Sequence, residues 1–281
     1  MNDIQAALNC NLPYFGRIAV GVASLPVRYS VLRSLVKWIV NQNPGKPVNI
    51  LEVGSWIGAS ALTFARSIQE FNGSKGSITC VDSWKPYLDT TINNEYVHKL
   101  MTAASESNIS YELFLHNCKA SGIEHLIEVK RGDSQTVLRE LLGKHFDLIY
   151  LDGDHSFEMV LSDIEASKEL IVNGGLICGD DLEKQYHEVD PKVLEDGIAE
   201  GKDVVVLDMD NHQWSGFHPG VTMAVHEAIG EVSEIEGVWF MQYQDGELVQ
   251  VHGIENELII PEELLRYISK EFGDFTPQLR C

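Results

Sequence analysis

Five short apolar runs, separated by segments with helical periodicity, constrain the fold of this 281-residue chain more than any other feature. They are predicted as strands: "VNILEVG" (48–54), "SITCVDS" (77–83), "LIEVKRG" (126–132), "FDLIYLD" (146–152) and "GLICGDD" (175–181). Residues 238–253 predict two more strands around an Asp245-Gly246 turn. Strands that alternate with crossover helices belong to parallel sheets covered on both faces. We therefore expect a doubly wound, Rossmann-like α/β fold with a mostly parallel seven-stranded sheet.

The rest of the chain is organised around this sheet. Residues 1–44, with a helix predicted over 27–40, form an N-terminal helical cap or oligomer segment, and residues 45–281 form the main domain. Two connections, 84–110 and 182–217, are longer than usual, which is typical of lids, binding loops or oligomer contacts. Aromatic residues in the first of these connections and in the N-terminal segment favour a homo-oligomer. These residues are Tyr14, Phe15, Trp84, Tyr87 and Tyr96.

Composition excludes several classes of partner. With 42 acidic and 21 basic residues the formal charge is −21, which disfavours nucleic acid and anionic membranes. There is no basic, apolar leader at the start and no apolar stretch near the ~18 residues that span a bilayer. The five cysteines lack a metal-ligand spacing and indicate reduced thiols. We expect a cytoplasmic protein.

The loop after the first strand, "EVGSWIGAS", has the features of a nucleotide-binding turn. Gly54 and Gly58 permit a tight turn, and Ser55, Ser60 and the following helix start supply hydrogen-bond donors, with Glu52 just before them. The Gly-x-x-x-Gly spacing differs from the Gly-x-Gly-x-x-Gly of dinucleotide-binding proteins. An ordinary strand-to-helix turn is the alternative.

Polar residues also follow the second and third strands. Asp82, followed by Ser83, is placed to accept hydrogen bonds from the hydroxyls of a ribose. Asp133, Ser134 and Gln135 of "RGDSQ" are candidates for contact with an adenine edge. The alternatives are a simple turn for Asp82 and helix capping for Asp133 or Ser134.

With "LEVGSWIGAS", "CVDSW" and "RGDSQTVLREL" in this order, residues 45–181 resemble the class I S-adenosylmethionine-dependent methyltransferases. The stretch "IYLDGDHSFEMVLSDIEASKELIVNGGLICGDD" is similar to their metal-dependent O-methyltransferase branch, which includes catechol and macrolide-sugar O-methyltransferases. It is also similar to a domain found with cephalosporin hydroxylase. The resemblance implies S-adenosylmethionine as cofactor, bound at the three strand ends described above and near Asp152.

The same branch implies a catalytic divalent cation, Mg²⁺ or another. Its ligands would be Asp152, Asp180 and Asp181, and His155 would be the general base beside the catalytic Asp152. A hard cation would relieve the repulsion among three carboxylates and acidify a bound hydroxyl. The alternatives are polar strand ends without a metal and a capping role for "DHS", in which Asp154 orients His155 or caps the helix.

We therefore expect a metal-dependent O-methyltransferase acting on a hydroxyl of a small molecule. The polar and aromatic connections favour a sugar- or polyketide-like acceptor over a catechol. The alternatives are a hydroxylase or hydrolase that reuses this domain, and a non-catalytic nucleoside-binding subunit. His212, Trp214 and His218 are candidates for contact with the acceptor, although "HPG" at 218–220 is more simply a turn entering a helix.

Overall fold

The five predicted strands all form. A computed structural model describes residues 2–16, 26–208, 215–254, 257 and 259–265. The strands are β1 (Val48–Val53), β2 (Gly76–Asp82), β3 (Ile127–Arg131), β4 (Phe146–Leu151) and β5 (Ile171–Gly179). They are parallel and lie in the order β5-β4-β1-β2-β3. Because the order reverses at β1, the carboxyl ends of β1 and β4 flank the crevice where ligands bind in such sheets.

Short antiparallel strands complete the sheet. The remaining strands are β6 (Val205–Asp208), β7 (Ser215–Phe217), β8 (Ser233–Ile235), β9 (Val238–Gln244) and β10 (Glu247–Gln250). β9 pairs antiparallel with β5, and both β8 and β10 pair with β9. Asp245 and Gly246 both have positive φ, as the predicted hairpin turn requires. The sheet therefore has eight strands, one more than predicted, while β6 and β7 form a separate hairpin.

Helices cover both faces of the sheet. They are α1 (Asn2–Cys10), α2 (Pro26–Gln42), α3 (Ala59–Asn72), α4 (Tyr96–Glu106), α5 (Ile109–Ala120), α6 (Ser134–Glu140), α7 (Phe157–Lys168), α8 (Pro191–Ala199) and α9 (Pro219–Ala228). Neighbouring residues of a strand point to opposite faces, so Ile50 lies in the core under α2, α3 and α5, and Leu51 lies in the core under α6, α7 and α9. The doubly wound α/β fold is confirmed.

The two long connections contact each other above the carboxyl ends of the strands. The first contains α4, and the second contains α8 and the β6–β7 hairpin. Asn93 donates from its side chain to the carbonyl of Gly201 over 3.1 Å, and its own side-chain oxygen accepts from the amide of Asp203 over 2.9 Å. Segments that are more than 100 residues apart in sequence thus meet beside the site.

The aromatic residues of these segments are mostly buried within the chain itself. Tyr14, Phe15 and Trp84 are at most 8% exposed, which corrects the expectation that they present an outer surface. Tyr96 is 73% exposed and Tyr87 is 39% exposed. The homo-oligomer stays a prediction, and its structural basis is reduced to the last two residues.

Four of the five cysteines lie in the part of the chain that the structure describes. Cys80, Cys118 and Cys178 are buried and Cys10 is exposed, and all four are free thiols. Cys281, His212 and Trp214 lie outside the described residues. Within the described ranges, no helix combines the length and the apolar character that crossing a membrane requires.

Candidate active site

A cavity of about 640 Å³ opens at the carboxyl ends of the parallel strands. This volume is within the usual range of small-molecule sites, roughly 300–1,000 Å³. Its walls come from the loops after β1, β2, β3 and β4, from α4, and from single residues of α2 and of the segment after β5. Among the lining residues are Gly54, Ser55, Ser60, Asp82, Ser83, Asp133, Ser134, Asp152, His155, Asp181, Tyr29 and Tyr87. Most of the predicted site residues are therefore brought together.

The loop after β1 requires glycine at Gly54. Its φ is +90°, and a Cβ there would lie 1.7 Å from the carbonyl oxygen of Asp152. Gly58, at φ +89°, begins α3. Neither Gly58 nor Glu52 lines the cavity. Glu52 is buried and accepts from the hydroxyl of Ser55 over 2.5 Å, and burial raises its pKa. Its role in the structure is to hold the loop from beneath.

Asp82 joins two loops through its carboxylate. One oxygen accepts from the amide of Trp56 over 2.8 Å, and the other accepts from the amide of Trp84 over 2.6 Å. The indole of Trp84 also donates to the carbonyl of Trp56 over 2.6 Å. Burial raises the pKa of Asp82 in spite of these amides. A carboxylate can accept about four hydrogen bonds, more than the backbone amides of Trp56, Trp84 and Ser55 supply, so contact with a ribose stays a prediction.

The residues after β3 divide between capping and lining. Asp133 caps α6 by accepting from the amide of Thr136 over 3.3 Å, as the capping alternative expected, and both Asp133 and Ser134 line the cavity. Gln135 does not line it, and its amide donates to the thioether of Met159 over 3.2 Å. Ser134 and Gln135 are consecutive in α6, so their side chains point about 100° apart around the helix axis. The predicted adenine contact of Gln135 is therefore not supported.

The three aspartates that were predicted as metal ligands are not equivalent. Asp152 and Asp181 line the cavity, whereas Asp180 is 3% exposed and does not. One oxygen of Asp180 accepts from Nη1 of Arg28 over 2.7 Å and from the amide of Asp181 over 2.9 Å. Its other oxygen lies 3.1 Å from the hydroxyl of Tyr150. Protein donors thus occupy Oδ1 of Asp180, and the buried carboxylate lies outside the cavity, so the structure does not support its assignment as a metal ligand.

Asp152 lies between the loop after β1 and this acidic pair. Its Oδ2 is 3.1 Å from the hydroxyl of Tyr150, and its Oδ1 is 3.9 Å from Nε2 of His155. Burial and the charges of Asp180 and Asp181 raise the pKa of Asp152 to about 7, against the opposing contact with His155. Burial therefore favours the neutral form of Asp152.

The imidazole of His155 lies between two carboxylates. Nε2 is 3.1 Å from Oδ2 of Asp181, and Nδ1 is 3.0 Å from Oδ1 of Asp203. Because an ionised carboxylate only accepts hydrogen bonds, both ring nitrogens act as donors in this arrangement. Burial opposes that charge, but Tyr87, Asp203 and Asp181 raise the pKa of His155 well above its ordinary value. The two carboxylates thus favour the protonated form of His155.

A second imidazole extends this chain of hydrogen bonds outward. Oδ2 of Asp203 is 3.0 Å from Nε2 of His98, whose Nδ1 is 2.8 Å from a carboxylate oxygen of Glu95. His98 and the side chain of Asp203 are buried. Burial disfavours the charge of Asp203, but contacts with His155 and His98 outweigh it and lower the pKa. The order Asp181–His155–Asp203–His98–Glu95 alternates acids and imidazoles.

His218, at the start of α9, belongs to the same corner. Its Nδ1 is 3.0 Å from Glu183 and 3.8 Å from Asp181. Burial opposes protonation, but these two carboxylates raise its pKa to about 8. Among the described residues, the group with suitable spacing for a metal ion is His155, Asp181 and His218. It differs from the predicted set of three aspartates.

The neighbouring polar residue Asp154 has a local role. Its carboxylate accepts from the amide of Ser156 over 2.9 Å, just before α7 begins. This turn fixes the backbone on both sides of His155, which agrees with the alternative in which Asp154 orients His155.

Comparison with known proteins agrees with this geometry. Residues 51–182 match the family described as "Methyltransferase domain". This part of the chain, just under half of its length, is similar to a methyltransferase domain. A curated relative, an uncharacterised protein of Acanthamoeba polyphaga mimivirus, is 24% identical over 98 residues, which are 35% of this chain and 43% of that protein. The matched stretch covers less than half of that relative.

The solved structures that are similar to this chain share little sequence identity with it. An O-methyltransferase from Bacillus cereus in complex with SAH is 18% identical, covers 77% of this chain and 89% of its own, and has a TM-score of 0.44. The O-methyltransferase TomG from Streptomyces achromogenes, in complex with SAM, is 16% identical, covers 75% and 86%, and has a TM-score of 0.46. These similarities are too distant to bear on the substrate.

The residues that the sequence did not single out come from the N-terminal segment and from the two long connections. Arg28 lies on α2, Asp203 follows α8, and His98 lies on α4. Arg28 carried a signal, because an arginine within the apolar pattern of "VRYSVLRSLVKWIV" indicates a buried ion pair. Asp203 in "GKDVVV" carried none.

Proposed function

We propose that the chain is an S-adenosylmethionine-dependent O-methyltransferase that acts on a hydroxyl of a small molecule, with His155 as general base. The observation that carries this proposal is that the Gly54 loop and the ring of His155 line one cavity. A methyl donor on the loop and a hydroxyl beside His155 would then be neighbours. Small-molecule acceptors are favoured over nucleic acid because the chain has a formal charge of −21.

The cofactor side of the cavity suits a positively charged ligand. When bound, S-adenosylmethionine supplies an electrophilic methyl group on a sulfonium. Asp82 and Asp152 line the cavity, and their burial makes the addition of a positive charge favourable. The glycine loop allows the close approach of a ligand to backbone amides, and Ser55 and Ser60 line the same wall.

The acceptor side holds a base in a fixed orientation. The carboxylate of Asp203 accepts from Nδ1 of His155, so the proton that can leave is the one at Nε2, toward Asp181 and the cavity. A deprotonated Nε2 would accept the proton of the acceptor hydroxyl during methyl transfer. Since the pKa of His155 is raised, the reactive neutral form increases with pH, and a cationic ligand in the cavity would shift the balance toward it.

Tyr87 lies beside this base, and Tyr29 forms another part of the cavity wall. Both line the cavity, and the Tyr87 ring stands edge-on to His155 at 6.2 Å between centroids. A ring-shaped acceptor, such as a sugar or a polyketide, fits walls of this kind, which stack on rings and donate from hydroxyls.

The cofactor is tested by calorimetry with S-adenosylhomocysteine and with nicotinamide dinucleotides. Binding of the first and not the second supports the proposal, and the reverse result would exclude the class. The reaction is tested with methyl-labelled S-adenosylmethionine against catechol and nucleotide-linked sugars, followed by mass spectrometry of the product. An O-methyl product supports the proposal. A hydroxylated or hydrolysed product would favour the alternatives, and binding without any turnover on a broad panel would favour a nucleoside-binding subunit.

A further inference from the structure

We propose that the guanidinium of Arg28 takes the place at which the resemblance implies a divalent cation, and that methyl transfer by this chain therefore needs no such cation. Nη1 of Arg28 lies 2.7 Å from Asp180 and 2.9 Å from Asp181, and Nη2 lies 2.9 Å from Glu183. One arginine thus contacts three carboxylates at the end of β5. The inference deepens the proposed function and rests on it for the catalytic consequence alone.

The pocket for the guanidinium is formed on every side. Nε donates to the carbonyl of Glu236 over 2.7 Å, so all three nitrogens of the fork have acceptors. Gly237, at φ +88°, lies against the group, and a Cβ there would come within 2.5 Å of Nη2. Arg28 is only 6% exposed. A site with four acceptors matched to a planar fork recognises guanidinium rather than a spherical ion.

Coordination of a cation by Oδ1 of Asp180 would require the loss of this arrangement. That oxygen already accepts from Arg28 and from the amide of Asp181, while the single proton of the Tyr150 hydroxyl is shared between Oδ2 of Asp180 and Oδ2 of Asp152. A cation on Oδ1 would have to displace the guanidinium, and the displaced charge would be buried with fewer partners, at high cost. The three-aspartate metal site does not fit this geometry.

The function of Arg28 is positional, since it does not line the cavity. It fixes one oxygen of Asp181, and the other oxygen of Asp181 contacts His155. Without a Lewis acid on the acceptor hydroxyl, removal of its proton depends on the base alone. The alternating carboxylates and imidazoles around His155 fix the orientation of this base.

The test is titration of the purified full chain with Mn²⁺, followed by the electron paramagnetic resonance signal of the free ion. It requires no acceptor and no turnover, so its outcome is separable from that of the proposed function. We expect the wild type to leave Mn²⁺ free at concentrations of about 100 μM, where sites with several carboxylates usually bind. Arg28→Met exposes the three carboxylates and is expected to bind Mn²⁺ at least about tenfold more tightly than the wild type.

Arg33→Met is the matched control. Arg33 lies on the same helix, is also 6% exposed and pairs with Glu70, away from the site. It should gain no Mn²⁺ binding. A folded Arg28→Met variant that gains none either would overturn the proposal.

If Arg28→Met does not fold, experiments on the wild-type protein still test the proposal. One-to-one Mn²⁺ binding by the wild type, lost in Asp181→Asn or His218→Gln, would overturn the proposal and favour a site at His155, Asp181 and His218. Loss of methyl transfer after treatment with EDTA, restored by Mg²⁺, would overturn it as well. Unchanged transfer in EDTA would support it.

Discussion

The two sides of the cavity differ in how their buried carboxylates are stabilised: the pKa values are raised on one side and lowered on the other. On the cofactor side, which comprises the ends of β1 to β4 and the contact between α6 and α7, burial raises the pKa values of Glu52, Asp82, Asp152 and Asp163. On the acceptor side, which comprises the end of β5, Asp203 and the histidines beside them, burial also disfavours the charges of Asp181 and Asp203, but histidine and arginine charges outweigh it. They lower the pKa of Asp181 to about 2 and lower that of Asp203 as well.

This difference indicates what each side can bind. The cofactor side contacts its carboxylates mainly with hydroxyls and backbone amides, and it leaves negative charge for a cationic ligand to neutralise. The acceptor side already contains its cations, so it favours a neutral acceptor and a fixed base. A sulfonium on the first side and a hydroxyl on the second match these two environments.

The largest effect is expected from Gly54→Ala, which breaks the cofactor side. The new Cβ would overlap the carbonyl of Asp152 at 1.7 Å, so β1 and β4 would have to separate. We expect a loss of at least about 4 kcal/mol of unfolding free energy and no binding of S-adenosylhomocysteine. Gly45→Ala is the control, since Gly45 also has positive φ but nothing within 4 Å of its Cβ position. It should cost about 1 kcal/mol and leave binding unchanged. Equal urea midpoints for the two variants would contradict this account.

Replacing the base breaks the acceptor side while leaving the cofactor side intact. His155→Ala should lower turnover by about 10²–10⁴-fold, the usual contribution of a general base. S-adenosylhomocysteine should still bind, because the loop after β1 is unchanged. The loss should ease as pH rises, when hydroxide replaces the imidazole. His145→Ala, an exposed histidine just before β4, is the control and should retain full activity. Full activity of His155→Ala at neutral pH would reduce His155 to a turn residue.

The same contrast explains what could be predicted from the sequence. The cofactor side is built from adjacent residues whose backbone makes the site, so glycine spacing and strand ends were sufficient to find Gly54 and Asp82. The parallel strands and the helices on both faces were predicted for the same reason, because periodicity is local. β8, three residues long, carries too little pattern to be recognised.

The acceptor side is assembled from side chains that are far apart in sequence. Arg28 and Asp180 are separated by 152 positions, and His98 and Asp203 by 105. No local pattern specifies such pairs, and the resemblance implied a metal ion at Asp180 without indicating that an arginine lies against this carboxylate. The sequence therefore identified the acidic corner correctly but not the group that neutralises it.

A stability measurement sharpens the comparison on the cofactor side. Asp163 is buried on α7, its Oδ1 has no hydrogen-bond partner among the residues that the structure describes, and burial raises its pKa to about 7, although the hydroxyl of Ser134 opposes this. A folded pKa above the unfolded one gives stability that is complete below about pH 4 and is lost as pH rises through about 7. Asp163→Asn should therefore be more stable than the wild type by a few kcal/mol at pH 9, and by about a third as much at pH 5.

Urea unfolding at both pH values measures this difference. Glu165→Gln, an exposed position on the same helix that pairs with Lys168, is the control and should show no such pH dependence. If the unfolding free energies of the wild type and Asp163→Asn differ by the same amount at pH 5 and pH 9, the pKa of Asp163 is not raised on folding. Its carboxylate would then be stabilised by a hydrogen-bond donor in the folded protein.

The smallest effect is expected from Asp203→Asn, which changes one charge on the acceptor side. An asparagine can accept from Nδ1 of His155 with its oxygen while its amide faces His98, so the orientation of the base is kept. The loss of one negative charge should lower the pKa of His155 and move the rise of kcat/KM to lower pH. At high pH the rate should fall by about ten- to a hundredfold, the scale of one charged hydrogen bond. Asp196→Asn, an exposed residue of α8 paired with Lys192, is the control. A merely structural role for Asp203 would lower the rate without moving the pH profile, and that result would remove Asp203 from the positioning of His155.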